Sequence, residues 1–159
     1  MPLYIAVRIR GTLDADPELE HTLNLLRLRR KYTASLYHSS QPGILGMLKK
    51  AENWIAWGEI NKETLITLLR RRGKLVGDKP ITDEWVRERL GLNGLEELAQ
   101  KLLDGEIYFN KLKSYGVKPF FRLHPPKGGF KGSIKRRYND GGVLGYWGSD
   151  INMLLARMI

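Results

Sequence analysis

The sequence predicts an α+β fold in which two helices cover a small sheet, followed by a helical middle segment and a basic carboxy-terminal extension. Two observations lead to this prediction. The first sixty residues alternate between hydrophobic patterns of period two, typical of half-buried strands, and patterns of period 3.6, typical of amphipathic helices. Residues 111–137 then carry nine basic and no acidic side chains, interrupted by glycine, proline and aromatic residues that would break a helix.

The first strand is predicted at residues 3–9, where Leu3, Ile5 and neighbouring apolar residues alternate with other side chains. A turn at residues 14–17 stops it. Asp16 is the expected N-cap of the first helix and Pro17 its first residue, because this helical position needs no backbone N–H. The helix is predicted to end in four cations that favour the negative end of its dipole: Arg27, Arg29, Arg30 and Lys31.

Two further strands and one helix complete the predicted core. Residues 32–37 form a short β-prone segment, residues 44–53 an amphipathic helix, and residues 54–60 a third strand. Two helices crossing between three strands bury one face of the sheet under both. The result is a split βαβ core related to the ferredoxin-like group.

The middle of the chain is predicted to be helical. Residues 62–72 form a third helix closed by Gly73, Thr82 caps a short fourth helix, and residues 95–103 form a fifth. Eight acidic and four basic residues lie between residues 78 and 106, so this part is expected to face solvent or protein. The chain is thus one compact domain with an extension, divided into a core (1–60), a helical insertion packed on it (61–108), and a strand, basic arm and short terminal helix (109–159).

The charge balance indicates a polyanionic partner. Twenty-seven Lys and Arg face 17 Asp and Glu, giving a formal charge of +10 and a pI near 9.9, for which nucleic acid is the usual explanation. A membrane partner would require a basic amphipathic helix or lipidation signal, and neither is found. The chain has no apolar run of membrane-spanning length, no signal-peptide pattern and no cysteine, so a cytoplasmic protein is expected.

No catalytic, metal or cofactor site is predicted, and no small-molecule substrate. His21, His38 and His124 are far apart in sequence, and none has a second ligand at metal-binding spacing. The glycine-rich segment 128–133 lacks the spacing of a phosphate-binding loop. Segments 43–46 and 142–145 match the GxxG of KH modules only trivially, and are better explained as a helix start and a turn.

The basic block could be simply a solvated face, which is a common role for runs of cations. Three features favour RNA binding instead: the absence of acids, the interleaved aromatic rings, and glycines that allow close backbone approach to phosphate. RNA is preferred to DNA because no helix has the features of a major-groove reader. Phe120 and Phe121 could be core residues of a strand, and one of them is expected to be buried.

The order of these elements and several short motifs resemble a known family, the universal large-subunit ribosomal protein called L-thirty in bacteria, in its longer archaeal and eukaryotic form. One position departs from the family pattern, because Leu45 stands where the family often has Lys or Arg. The resemblance covers essentially the whole chain and rests on segments 22–30, 42–48, 54–59, 121–123, 126–129, 141–145 and 151–158.

The resemblance implies a structural protein of the large ribosomal subunit without catalysis or cofactor. It implies binding to large-subunit rRNA near the 5S rRNA, beside neighbouring ribosomal proteins, and a three-stranded antiparallel sheet covered by two helices. Two alternatives stay open: an RNA-processing or RNA-modifying factor, and a free ferredoxin-like regulatory module that binds a small effector.

The candidate RNA-binding residues lie in the core and in the arm. Arg8 and Arg10 leave the first strand, although either could instead pair with a carboxylate. The arm, residues 127–147, is expected to be disordered without RNA because it has few groups to bury. The full set is Arg8, Arg10, Arg27, Arg29, Arg30, Lys31, Lys49, Lys50, Arg122, Lys127, Gly128, Gly129, Lys131, Lys135, Arg136 and Arg137, with Tyr138 and Trp147 as candidate base-stacking rings.

Overall fold

In the computed structural model of the chain, residues 2–13 and 15–159 are described, and within them the strands form one sheet. The strands are β1 Leu3–Arg8, β2 Thr33–His38, β3 Ile55–Glu59, β4 Phe121–Arg122, β5 Ser133–Arg137 and β6 Gly142–Tyr146. The α-helices are α1 Pro17–Leu25, α2 Ile44–Lys50, α3 Lys62–Arg72, α4 Asp83–Leu90, α5 Leu95–Asp104 and α6 Ile151–Met158, and a 3₁₀ helix spans Phe109–Tyr115. Asp14, part of the predicted turn, lies outside the described residues.

The predicted α+β fold and its strand-helix-strand-helix-strand core are confirmed. β1 is central and pairs antiparallel with both β2 and β3, so that Ile5 lies opposite Leu36 on one side and Gly58 on the other. The period-two pattern of β1 places alternate side chains on opposite faces of the sheet. One face carries Leu3, Ile5 and Val7, and the other carries residues 4, 6 and 8.

The sheet is larger than the predicted three strands, with the order β4-β2-β1-β3-β6-β5. β6 runs parallel to β3, and its Val143 and Leu144 are buried. The predictions of a disordered arm over residues 127–147 and of a turn at residues 142–145 are therefore wrong. The arm contains apolar residues that complete the sheet, and Gly58 on β3 allows this packing, because an added Cβ there would lie 2.2 Å from the carbonyl oxygen of Gly148.

Helices cover both faces of the sheet. α1 and α2 pack over one face, around Leu23, Leu48 and Trp57, as the sequence predicts. The opposite face is buried under α3, α5 and α6, whose Leu68, Leu98 and Leu154 belong to the same buried cluster as the apolar side chains of β1. The helical middle segment and α6 therefore cover the second face of the sheet, which a prediction of one covered face did not include.

The predicted helix starts are confirmed by their caps. The Asp16 carboxylate accepts a hydrogen bond from the Leu19 N–H at 2.7 Å, and the Thr82 hydroxyl accepts one from the Trp85 N–H at 3.1 Å. The predicted ends of the first two helices are wrong. α1 ends at Leu25, so the cations that follow it do not occupy its last turn, and α2 ends at Lys50.

Candidate nucleic-acid interface

The loop between α1 and β2 presents arginines to solvent. Leu26 and Leu28 are buried, whereas the alternating Arg27, Arg29 and Arg30 are exposed. α1 ends in a Schellman motif, in which the Leu28 N–H bonds the Leu23 carbonyl at 2.8 Å and Arg27 adopts a φ of +65°. Glycine is the usual residue in that left-handed position, so the arginine is held there by the two leucines that anchor the loop.

The buried side chain of Arg8 supports this loop from beneath. Its Nη1 donates to the carbonyl oxygens of Leu28 at 2.9 Å and Arg29 at 3.1 Å, and its Nη2 pairs with Glu20 Oε1 at 2.7 Å. Further bonds to the carbonyls of Arg10 and Gly11 complete the set of partners. The prediction that Arg8 contacts RNA is therefore wrong: its guanidinium is inaccessible and organises the loop that carries the exposed arginines.

Tyr37 on β2 holds the same loop at its start. Its hydroxyl donates to the Leu26 carbonyl, and the side chain is buried under α1. Burial raises the pKa of Tyr37 far above its usual value, so the hydroxyl keeps its proton and remains a donor. The backbone of residues 26–29 is thus fixed by two buried side chains from the sheet.

The pairing of β4 with β2 brings part of the basic block to this loop. Thr33 lies opposite Arg122, and Ala34 lies opposite Phe121. The Ser35 hydroxyl donates to the Pro119 carbonyl at 2.8 Å, which fixes the segment that leads into β4. Residues far apart in sequence therefore meet at one edge of the sheet.

A cavity of about 390 Å³, here called the basic groove, lies between the loop and β4. Its lining contains cations from three separate segments and no acidic side chain. Within the described residues, no carboxylate lies within ion-pair distance of these cations. The groove is lined by Arg27, Arg29, Arg30, Thr33, Lys113, Pro119, Phe120 and Arg122.

A smaller basic cavity, of about 200 Å³, adjoins the groove and shares Phe120 and Arg122 with it. It adds three cations from the end of α3 and the turn before β4: Arg72, Lys74 and Lys118. Lys118 pairs with Asp78, and this hydrogen bond lowers the pKa of Asp78. The cationic surface therefore continues from the core onto the middle segment.

Sequence reasoning did not assign Lys113, Arg72, Lys74 or Lys118 to the site. The available signal was the nearly pure cationic run at residues 70–74 and the full extent of the basic block.

The two phenylalanines separate as expected, because Phe121 is buried and stacks on Phe109 with ring centroids 4.8 Å apart. Phe120 is only partly buried, and the Arg122 guanidinium lies 5.8 Å from its ring.

The remaining candidates of the core lie outside the groove. Arg10 stacks its guanidinium on Trp54 at 4.0 Å, and Lys50 pairs with Glu18 at 2.7 Å. Lys49 is exposed on α2, and Lys31 is exposed beside the ring of Tyr32. None of these four residues lines the groove.

The candidates of the arm lie along a folded edge of the molecule. Gly128 and Gly129 adopt φ values of +80° and +75° in a turn that Arg157 on α6 fastens, through a 2.8 Å bond from its Nη1 to the Gly129 carbonyl. Lys127 is exposed at this turn. β5, the edge strand, carries exposed Lys135, Arg136 and Arg137 and follows exposed Lys131, and Arg137 pairs with Glu52 at 2.6 Å.

Tyr138 and Trp147 stack on each other rather than present two open rings. Their centroids are 3.9 Å apart with an interplanar angle of 13°. The Tyr138 hydroxyl donates to Asp150, which raises the pKa of Tyr138, and the Trp147 indole N–H donates to the Val143 carbonyl. The facing surfaces of both rings are thus unavailable to bases, and base stacking on their outer surfaces stays a prediction.

Metal-binding clusters and membrane-spanning helices are absent from the described part of the chain. Residues 2–13 and 15–159 contain no cluster of three or more side chains able to hold a metal ion. No helix among them has the length and hydrophobicity needed to cross a bilayer. What the groove can do is neutralise phosphate and present an aromatic ring beside it.

Comparison with known proteins agrees with the geometry. Residues 4–55 match the family model described as ribosomal protein L30p/L7e. Over 159 residues and the full length of both chains, the sequence is 60% identical to the large ribosomal subunit protein uL30 of Aeropyrum pernix. It is 56% identical to that of Hyperthermus butylicus, with 99% of this chain and 90% of the relative covered, and 53% identical to that of Staphylothermus marinus, with 99% and 98% covered.

Proposed function

Because this chain belongs to the ribosomal protein L30p/L7e family, we propose that it is a structural constituent of the large ribosomal subunit. It binds and stabilises rRNA, beside neighbouring ribosomal proteins, and contributes to subunit assembly and translation in the cytoplasmic ribosome. It has no enzymatic activity. The family resemblance of the short sequence motifs is confirmed.

The observation that supports rRNA binding at a particular place is the basic groove. Five cations from three segments line it without an acidic residue in the lining, and three of them lie on a loop that a buried arginine holds in place. Such an arrangement fits the irregular phosphate path of folded RNA, which proteins recognise largely by shape. The groove cations Arg27, Arg29, Arg30, Lys113 and Arg122 are therefore the central contacts of the proposed site.

The exposed cations outside the groove form the outer part of the same proposed interface. They comprise Lys31, Lys49, Lys127, Lys131, Lys135 and Arg136, with Arg10 and Lys50 contributing after release of their internal partners, whereas Arg137 keeps its pair with Glu52. The core (1–60) and the extension (109–159) then act together, since each supplies cations to the groove. We also propose that the rRNA bound here lies near the 5S rRNA, which the family resemblance suggests.

Salt dependence tests the proposal with the wild-type chain. Neutralising six to ten phosphates releases the counterions bound to them, so affinity for large-subunit rRNA should fall on the order of a thousandfold between about 50 and 200 mM salt. Filter binding at a series of salt concentrations measures this slope. An affinity that changes less than about tenfold over this range would rule out phosphate neutralisation as the basis of binding.

A further inference from the structure

A row of three aromatic rings crosses β1, β3 and β6, toward the edge of the sheet opposite to β4. Tyr4 on β1, Trp57 on β3 and Tyr146 on β6 occupy neighbouring strands in that order. The ring centroids of Tyr4 and Trp57 are 5.4 Å apart at 83°, and those of Trp57 and Tyr146 are 4.7 Å apart at 52°. With α2 they line a cleft of about 460 Å³.

Tyr146 is held in one orientation while half of its surface stays open. The side chain is 50% exposed, although its ring packs on the buried Trp57. Its hydroxyl donates to the Glu59 carboxylate, and this bond raises the pKa of Tyr146 to about 12, so the contact persists at neutral pH. A ring held by its hydroxyl and by its contact with Trp57 loses little conformational freedom when a planar group stacks on it.

The opposite wall of the cleft combines an apolar surface with a free cation. Leu45 is 40% exposed on α2, and Lys49 lies one turn further along the same helix. Glu52 also lines the cleft, but its carboxylate is already paired with Arg137. Among the described residues, no carboxylate lies within ion-pair distance of Lys49.

We propose that this cleft binds one unpaired nucleobase of rRNA, stacked on the open face of Tyr146 against Leu45, with Lys49 at the adjoining phosphate. This inference rests on the proposed function and adds a second, base-contacting site to the phosphate-binding groove. The pattern is the one that proteins use for single-stranded RNA, in which a sheet-borne aromatic ring stacks a base and a nearby cation neutralises its backbone. β5, the strand next to β6, continues the cationic surface with Lys135 and Arg136.

The surroundings favour a base over an apolar segment of a neighbouring protein. A purely apolar partner would leave the Lys49 ammonium desolvated without a counter-charge, whereas a nucleotide supplies both a planar apolar face and an anion. A protein occupant is therefore an outcome that the test must be able to detect.

Substitution of Tyr146 in the full chain tests the proposal through affinity for large-subunit rRNA at fixed salt. Tyr146→Leu removes the stacking surface without changing charge, so we expect affinity to fall about tenfold, with an unchanged salt slope. Tyr146→Phe keeps the ring and should bind within about twofold of wild type. Tyr115→Leu is the matched control, because Tyr115 is 45% exposed and lies outside the cleft, and its affinity should not change.

Two further measurements keep the result decisive. Leu45→Glu changes the opposite, exposed wall and should weaken rRNA binding even if Tyr146→Leu fails to fold. In ultraviolet cross-linking of assembled subunits, a nucleotide adduct is expected on the peptide that contains Tyr146. The base site would be overturned if both Tyr146→Leu and Leu45→Glu bound rRNA as tightly as the wild-type chain, or if this peptide cross-linked to a protein instead. In that case the proposed function would stand as long as the wild-type chain itself binds rRNA. Failure of the wild-type chain to bind rRNA would overturn both.

Discussion

Replacing four groove arginines by glutamine should lower the affinity for large-subunit rRNA about a thousandfold at low salt. The variant carries Arg27→Gln, Arg29→Gln, Arg30→Gln and Arg122→Gln. Each side chain is exposed and unpaired within the described residues, so its loss removes about one charge-assisted phosphate contact, worth about 1 kcal/mol or more. The salt slope should become shallower by about three to four, since each lost phosphate contact removes slightly less than one unit.

A charge-matched variant separates this site from the general basic character of the protein. Arg71, Lys79, Arg87 and Arg89 are exposed cations of the middle segment that line neither basic cavity, and all four can be changed to glutamine. This control loses the same four charges but should keep affinity within about tenfold of wild type. Equal losses in the two variants would mean that net charge, not the groove, drives binding. Thermal melting should be nearly unchanged in both, because exposed substitutions rarely alter stability.

The variant Arg8→Met should destabilise the fold by about 3 to 5 kcal/mol. Arg8 is fully buried, and its removal leaves the carbonyls of Leu28 and Arg29 and the half-buried Glu20 carboxylate without their donor. For a chain of this size we expect a melting temperature lower by roughly 10 °C, measured by circular dichroism. Arg8→Lys should be intermediate, because lysine keeps the charge but not the planar fork of donors.

The neighbouring Arg10 provides the control for that experiment. Its guanidinium stacks on Trp54 at the surface, so Arg10→Met should change stability by only about 1 kcal/mol. A melting temperature of Arg8→Met equal to that of wild type would contradict the scaffolding role. The groove loop would then have to be held by Tyr37 and its own leucines alone.

The local parts of the interface could be predicted from sequence, and the long-range parts could not. The density of arginines at positions 27, 29 and 30 indicates a cationic surface, although the sequence pattern places them at a helix end and α1 stops at Leu25. The alternation of Leu26 and Leu28 with these arginines indicates that the helix has ended, because buried leucines two residues apart are typical of an anchored loop and not of a continuing helix.

Burial of Arg8 depends on where α1 packs on the sheet, and no pattern within β1 specifies that position. Similarly, the position of Arg122 opposite Thr33 depends on the register between two strands that are far apart in sequence. The charge of the basic arm likewise predicts disorder, yet β6 lies beside β3 with Val143 and Leu144 buried, and Gly58 leaves room for the following turn.

Sedimentation of the chain in a cell-extract gradient tests the central claim most directly. If the protein is a structural constituent of the large ribosomal subunit, the wild-type chain should migrate with large subunits at low salt and be released as salt rises, and the four-arginine groove variant should be depleted from that fraction. A wild-type chain that stays at the top of the gradient, free of rRNA under conditions in which the subunits remain intact, would contradict the account.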